Sequence, residues 1–188
     1  MRNAGRIGPK LVVTGFMGTG KSRIGRAAAE RLGWRFADSD REIVIQAGKS
    51  IAEIFAVEGE PRFRAIERTV IAALAAHPKS AVIATGGGAL ADEDNFQVLK
   101  QAGVILCLAA RPEVIAARLA RSGEARPKLL EGGRPMLERI VELLAERAAS
   151  YARADATIDT SDLTIDEAAE RLVATFRALR ERQCEPSA

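Results

Sequence analysis

The chain has 188 residues, of which 47% are hydrophobic and 28% charged, and its net charge is +3. This length suits a single domain over residues 1–188, and the composition excludes a disordered protein. No apolar run reaches the roughly 18–20 residues of a membrane helix, and the basic N-terminus is a poor secretory signal. The arginines are scattered along helical segments, which disfavours nucleic-acid binding. Two cysteines form no disulfide framework, so we expect a cytoplasmic protein, and we also expect a monomer.

Short apolar runs alternate with helical patterns along the chain. The predicted strands are residues 10–15, 34–40, 80–85 (running into the glycines at 86–88), 103–110 and 156–160. The predicted helices are residues 22–32, 41–77 (with breaks near 48 and 59–61), 92–101, 111–121, 135–152 and 164–182, the last capped by Thr164 and Glu167. This alternation predicts a three-layer α/β/α fold around a five-stranded parallel sheet. A polar segment at about 122–133 is predicted to be a mobile lid. The N-terminus (about residues 1–9) and the C-terminal tail (about 182–188) are predicted to be flexible.

The first strand runs into GFMGTGKS, residues 15–22, and a helix follows. Gly15, Gly20, Lys21 and Ser22 satisfy the pattern G-x-x-x-x-G-K-[ST], whose backbone N–H groups surround phosphate oxygens at a helix N-terminus. In such a loop Lys21 would reach the β- and γ-phosphates of ATP, and the Ser22 hydroxyl would ligate Mg²⁺. The alternative is a glycine-rich turn that only caps a helix.

The acidic partner of this loop is not in the position common among P-loop proteins. The third strand ends in glycines without an acid, and no N-K-x-D motif occurs, which disfavours a GTPase switch. The candidate acids are Asp38 and Asp40 at the end of the second strand, where ligands of a parallel sheet collect. One carboxylate could serve the metal's water shell while its neighbour accepts a hydroxyl proton. The alternative is a surface turn with a helix cap.

Three successive glycines, Gly86, Gly87 and Gly88, follow the third strand. They could simply turn the chain tightly. They could also let a small ligand lie close to the backbone, with exposed N–H groups as donors, and we favour this interpretation because a turn does not require three glycines.

Six segments together resemble those of shikimate kinases, which are small P-loop enzymes of the nucleoside monophosphate kinase type. The segments are GFMGTGKS, FADSD, IAEIFAVEGEPRFRAIE, TGGG, ARPKLL and ERAASY, and the resemblance extends from Lys10 to about Leu179. It implies a P-loop NTPase fold and an enzyme that uses ATP and Mg²⁺ to phosphorylate shikimate to shikimate 3-phosphate, a step of aromatic amino acid biosynthesis. The rival expectations are another small-molecule kinase, such as a gluconate kinase, and a nucleotide-dependent switch protein.

The resemblance also implies residue roles. Asp40 binds substrate hydroxyls and acts as the base, while Arg64 and Arg147 clamp the substrate carboxylate. Spacing alone does not rank Arg62, Arg64 and Arg68. The resemblance selects Arg64, and Glu67 could orient it. The glycine triplet completes the substrate site, and Ser22 with Asp38 would keep Mg²⁺ on the phosphates, directly or through water. The expected ATP contacts are Gly18, Thr19, Gly20, Lys21, Ser22, Arg23, Arg121 (near the adenine) and Arg126 (in the lid).

Overall fold

The computed structural model of the chain describes residues 8–122 and 135–184. Its five strands form one parallel sheet in the order β2-β3-β1-β4-β5, which confirms the predicted fold class. The strands are β1 (Lys10–Gly15), β2 (Arg35–Asp38), β3 (Ala81–Ala84), β4 (Gly103–Ala109) and β5 (Ala156–Asp159).

Helices connect the strands and cover both faces of the sheet. They are α1 (Lys21–Leu32), α2 (Ser39–Ala47), α3 (Ile51–Ala76), α4 (Glu93–Ala102), α5 (Pro112–Ser122), α6 (Met136–Tyr151) and α7 (Ile165–Cys184), with a short 3₁₀ turn at Ala89–Ala91.

Alternate side chains of the central strand enter two different hydrophobic cores. Leu11 and Val13 of β1 pack against α1 and α7, whereas Val12 packs against Ile71 of α3 and Leu99 of α4. Successive side chains of a strand point to opposite faces, so a strand covered on both sides must be apolar throughout. This is why residues 11–13 could be recognised as part of a strand, and the strand order places that strand at the centre of the sheet.

Two glycines divide the long helical stretch where the sequence predicts breaks. Gly48 ends α2 in the left-handed conformation (φ 64°), and Gly59 interrupts α3 with φ 80° and ψ 171°. A non-glycine residue rarely adopts these backbone angles, so the chain can change direction there. The second half of α3, which follows Gly59 and Pro61, is the part that enters the site described below.

The end of the second strand differs from the expectation. β2 stops at Asp38, and Asp40 lies in the first turn of α2, so the predicted strand extends two residues too far. The reason is local, because the Asp38 side chain accepts a hydrogen bond from the Asp40 backbone N–H at 3.1 Å and caps the helix. A capping aspartate ends the extended conformation and starts the helix at once.

Several expectations concern residues outside the described ranges. Nearly all of the predicted lid (122–133), including Arg126, lies there, as do residues 1–7 of the N-terminus and 185–188 of the tail. Within residues 8–122 and 135–184, no helix combines the length and the apolar character needed to cross a bilayer.

Candidate active site

An open cleft of about 1100 Å³ lies at the carboxyl ends of β1, β2 and β3. Every site residue predicted from the sequence lines this cleft, except Arg126, which lies outside the described residues. The phosphate loop and α5 form one end of the cleft. The aspartates, the second half of α3, the glycine triplet and the end of α6 form the other. This is the edge of a parallel sheet at which ligands bind.

The phosphate loop has a backbone that only glycine adopts easily. Gly15, Gly18 and Gly20 have φ values of 132°, 79° and 94°, and a Cβ on Gly15 would lie 2.2 Å from the Leu108 carbonyl oxygen. Residue 20 directly precedes α1, so the positive end of the helix dipole faces the loop. The sequence pattern and the backbone therefore agree on an anion-binding loop.

Two side chains stabilise this loop through hydrogen bonds to the same backbone oxygen. Thr19 is fully buried, and its hydroxyl donates to the Phe16 carbonyl oxygen at 2.8 Å. The Lys21 ammonium donates to the same oxygen at 3.0 Å, which places its positive charge over the loop. Because the Thr19 side chain is buried, it is the Thr19 backbone that can face a phosphate.

Ser22 and Asp38 provide the oxygen atoms that a magnesium ion prefers. The Ser22 hydroxyl donates to Asp38 Oδ2 at 2.5 Å, next to the phosphate loop. Within the described ranges, no group of three or more His, Cys, Asp or Glu side chains is suited to bind a metal. Two hard oxygen ligands without a full protein cage fit Mg²⁺, which usually keeps waters and substrate phosphates as its other ligands.

A buried acid anchors the arginine of α3. Glu67 is only 1% exposed, and it accepts a hydrogen bond from Arg64 Nη1 at 2.7 Å. Burial raises the pKa of Glu67 above its ordinary value, although the ion pair with Arg64 opposes this. The second arm of the guanidinium is 2.8 Å from Glu60, so Arg64 is held at two points.

The structure distinguishes the three arginines that spacing could not rank. Arg62 pairs with Glu58, and Arg68 pairs with Asp92, and neither lines the cleft. Only Arg64 of the three faces the cleft.

Each glycine of the triplet faces a different charged side chain. A Cβ on Gly86 would lie 2.8 Å from Asp40 Oδ1, one on Gly87 3.0 Å from Arg147 Nη1, and one on Gly88 3.3 Å from Arg64 Nη2. None of the three glycines has a positive φ, so a tight turn does not explain them. Glycine leaves room here for an acid and two arginines, which approach most closely at Gly86 and least closely at Gly88.

Sequence reasoning missed two residues near these groups. Tyr151, one helical turn after Arg147, donates its hydroxyl hydrogen to the Gly87 carbonyl oxygen at 2.8 Å. Arg118, one turn before Arg121, lines the cleft and donates to the Thr160 carbonyl oxygen at 2.6 Å. In both cases the helical spacing from a predicted residue was the available signal.

Similarity to known proteins agrees with this geometry. The family model for shikimate kinase matches residues 17–177 of the chain. A shikimate kinase from Caldanaerobacter subterraneus subsp. tengcongensis is 44% identical over 172 residues, which cover 92% of this chain and 98% of that protein. One from Geobacter sulfurreducens is 43% identical over 176 residues, covering 94% of this chain and 93% of that protein.

Solved structures give the same result. The shikimate kinase from Acinetobacter baumannii in complex with shikimate has a TM-score of 0.83 to this chain at 33% identity, and the match covers 95% of this chain and 96% of that one. A gluconokinase from Sinorhizobium meliloti 1021 has a TM-score of 0.56 at 19% identity, over 95% of this chain and 97% of that one, and shows a shared fold alone. With a family model over most of its length and relatives above 40% identity, the chain belongs to the shikimate kinase family.

Proposed function

We propose that this protein transfers the γ-phosphoryl group of ATP to a hydroxyl of shikimate and yields ADP and shikimate 3-phosphate. The observation that supports this best is the arrangement of Asp40, Arg64 and Arg147 around the glycine triplet, in the same cleft as the phosphate loop. An acceptor with a carboxylate at one end and hydroxyls at the other matches this distribution of charge. Shikimate has one carboxylate and three ring hydroxyls.

The two arginines would hold the acceptor carboxylate. A guanidinium pairs with a carboxylate through two parallel hydrogen bonds, which fixes orientation as well as position. Arg64 is already oriented by Glu67 and Glu60, and Arg147 lies over the Phe16 ring, 5.4 Å from its centroid. Because both guanidinium groups are fixed by neighbours, little conformational entropy remains to be lost when the acceptor binds.

Asp40 would act as the base. As the acceptor oxygen forms its bond to the γ-phosphorus, its proton passes to the Asp40 carboxylate. At the same time the bond from the γ-phosphorus to the bridging oxygen breaks, and ADP leaves with that electron pair. Lys21, over the phosphate loop, would stabilise the charge that develops on the transferred group.

The remaining ATP contacts would come from both sides of the loop. Ser22 and Asp38 would hold the Mg²⁺ of the ATP complex, which neutralises phosphate charge when bound. The backbone of Gly18, Thr19 and Gly20 would bind the phosphates, and Arg23 and Arg121 lie at the nucleotide end of the cleft. Three expectations stay predictions: a lid that carries Arg126 closes over the site, the protein is a monomer, and it is located in the cytoplasm.

A coupled ADP-release assay against a panel of hydroxy acids tests the proposal. We expect turnover with shikimate, much less with its analogue that lacks the carboxylate, and none with gluconate. Replacing Asp40 by asparagine should lower kcat by roughly 10²–10⁴-fold, which is the usual loss for a positioned base. Asp94→Asn, at an exposed carboxylate in the first turn of α4, is the matched control and should leave kcat unchanged.

Two results would contradict the proposal. Robust turnover of gluconate with none of shikimate would make the protein a different small-molecule kinase. Slow ATP hydrolysis that no added hydroxy acid changes would instead indicate a nucleotide-dependent switch protein.

A further inference from the structure

Tyr151 is the last residue of α6 and lies one helical turn after Arg147, on the same side of the helix. Its ring packs against the hydrophobic cluster that contains Phe16, and its hydroxyl points to the glycine triplet. The hydroxyl donates to the Gly87 carbonyl oxygen at 2.8 Å, and the Arg147 guanidinium lies beside the same glycine. The phenol thus binds the backbone of the triplet at the glycine that the Arg147 guanidinium approaches.

The bond to Gly87 restrains a part of the backbone that would otherwise be flexible. Glycine has the widest range of backbone angles, and three in succession leave the segment with little intrinsic rigidity. The peptide unit is planar, so holding the Gly87 carbonyl also holds the N–H of Gly88, which points the opposite way. The segment is tied at its start by the bond from the Gly86 N–H to Ser39, and Tyr151 ties its centre.

The same bond fixes the surface against which Arg147 rests. A Cβ on Gly87 would lie 3.0 Å from Arg147 Nη1 and 3.4 Å from the Tyr151 hydroxyl, so both groups lie against this glycine. Burial raises the pKa of the Tyr151 hydroxyl above its ordinary value of 10.0, although the nearby Arg147 charge opposes this. The hydroxyl therefore keeps its proton, and remains a donor to Gly87, throughout the neutral and mildly alkaline range.

We propose that Tyr151 is a positioning residue of the acceptor site. Its hydroxyl fixes the Gly87 peptide, and the fixed peptide in turn positions the Arg147 guanidinium. The inference rests on the proposed function, because Arg147 is there assigned to the acceptor carboxylate. Tyr151 itself touches neither the transferred phosphoryl group nor the nucleotide in this assignment. Its effect must then appear in acceptor binding, and it must depend on Arg147.

The test uses Tyr151→Phe, which removes only the hydroxyl and keeps the packed ring. We expect the KM for shikimate, and its Kd measured by calorimetry, to rise roughly 3- to 10-fold, the range expected for losing one hydrogen bond. The KM for ATP should not change, and kcat should stay within about twofold because the base and the phosphate loop are untouched. Thr69→Val is the matched control, since it removes a hydroxyl that donates to the Ala65 carbonyl oxygen on α3, away from the cleft.

A double-mutant cycle with Arg147→Ala distinguishes positioning from general loosening of the structure. If Tyr151 acts through Arg147, its replacement should change the KM for shikimate by less than about twofold in the Arg147→Ala background. Full additivity in the cycle, or an equal rise in the KM for ATP, would overturn the inference. So would an unchanged KM and Kd for shikimate in folded Tyr151→Phe protein.

The two proposals fail in different ways. Wild-type protein that neither binds nor phosphorylates shikimate would refute the proposed function, and this inference with it. Active wild-type protein whose shikimate affinity is insensitive to Tyr151→Phe would refute the positioning role alone.

Discussion

Replacing Gly86 by alanine should disable the base without unfolding the protein. The added Cβ would lie 2.8 Å from Asp40 Oδ1 and 3.2 Å from Glu67 Oε1. Gly86 is not among the glycines with a positive φ, so alanine meets no backbone strain at this position. The whole effect of the substitution is therefore the displacement of two carboxylates.

The size of the displacement follows from the contact distances. Ordinary contact of a Cβ begins at 3.4 Å, so Asp40 Oδ1 must move by about 0.6 Å. A misplacement of about 1 Å can cost about 10²-fold in rate, so we expect kcat to fall by roughly 10- to 100-fold. Asp40 lies in the open cleft, and the buried Glu67 Oε1 needs to move by only about 0.2 Å, so the melting temperature should change by less than about 4 °C, equivalent to less than about 1 kcal/mol for a domain of this size.

Gly88→Ala is the matched control for this experiment. Its Cβ would lie 3.3 Å from Arg64 Nη2, only about 0.1 Å inside ordinary contact. We expect this variant to change the KM for shikimate slightly and to leave kcat within about twofold. Both variants are measured by ADP release at saturating ATP over a range of shikimate concentrations, and thermal melting confirms that they are folded.

The comparison can refute the reasoning in two ways. A Gly86→Ala enzyme with normal kcat would mean that Asp40 does not need its observed position and is not the base. Equal losses of kcat in the Gly86 and Gly88 variants would mean that the glycines are needed for the conformation of the backbone, and not to leave room for the side chains that contact them.

Two further predictions concern the phosphate loop and the buried acid. Lys21→Met should nearly abolish turnover with an unchanged melting temperature, because it removes a charge that stabilises the transferring phosphoryl group; normal turnover would contradict the assignment of the phosphate loop. The pKa of Glu67 is raised above its ordinary value of 4.5 by burial, so its contribution to stability is greatest below pH 4.5 and is lost as pH rises through the folded-state pKa. The melting temperature of wild type minus that of Glu67→Gln should therefore fall as pH rises above 4.5, whereas a rise would show that the ion pair with Arg64 outweighs burial.

The fold could be predicted from the sequence because its signals are local. Central parallel strands are apolar at every position, as in residues 11–13, and the helices between them end at glycines such as Gly33 and Gly48. The phosphate loop is contiguous in sequence, so its glycines, lysine and serine identify it without any tertiary information. Residue boundaries were less accurate, as the end of β2 shows, because a cap at Asp38 outweighed the extended pattern.

The acceptor site could be predicted only in part because it is built from distant segments. Spacing placed three arginines on one helix but did not show which of them faces the cleft. Arg68 pairs with Asp92, which lies outside that helix, and spacing along the helix does not reveal this contact. The contact between Tyr151 and Gly87 joins residues 64 positions apart, which no periodicity reveals. The resemblance to a known family supplied Arg64 and Arg147, whereas their contacts with the triplet required the structure.

The sequence offered two interpretations of the acidic pair, a helix cap or part of a functional site, and in the structure these are not alternatives. Asp38 Oδ1 accepts the backbone N–H of Asp40, and Asp38 Oδ2 accepts the hydroxyl of Ser22. One carboxylate thus joins the first turn of α1, at the phosphate loop, to the first turn of α2, which holds Asp40. In-line transfer requires the base and the bound phosphates to keep a fixed separation, and a misplacement of about 1 Å is costly. The capping interaction that ends β2 therefore also links the loop proposed to hold the phosphates to the proposed base.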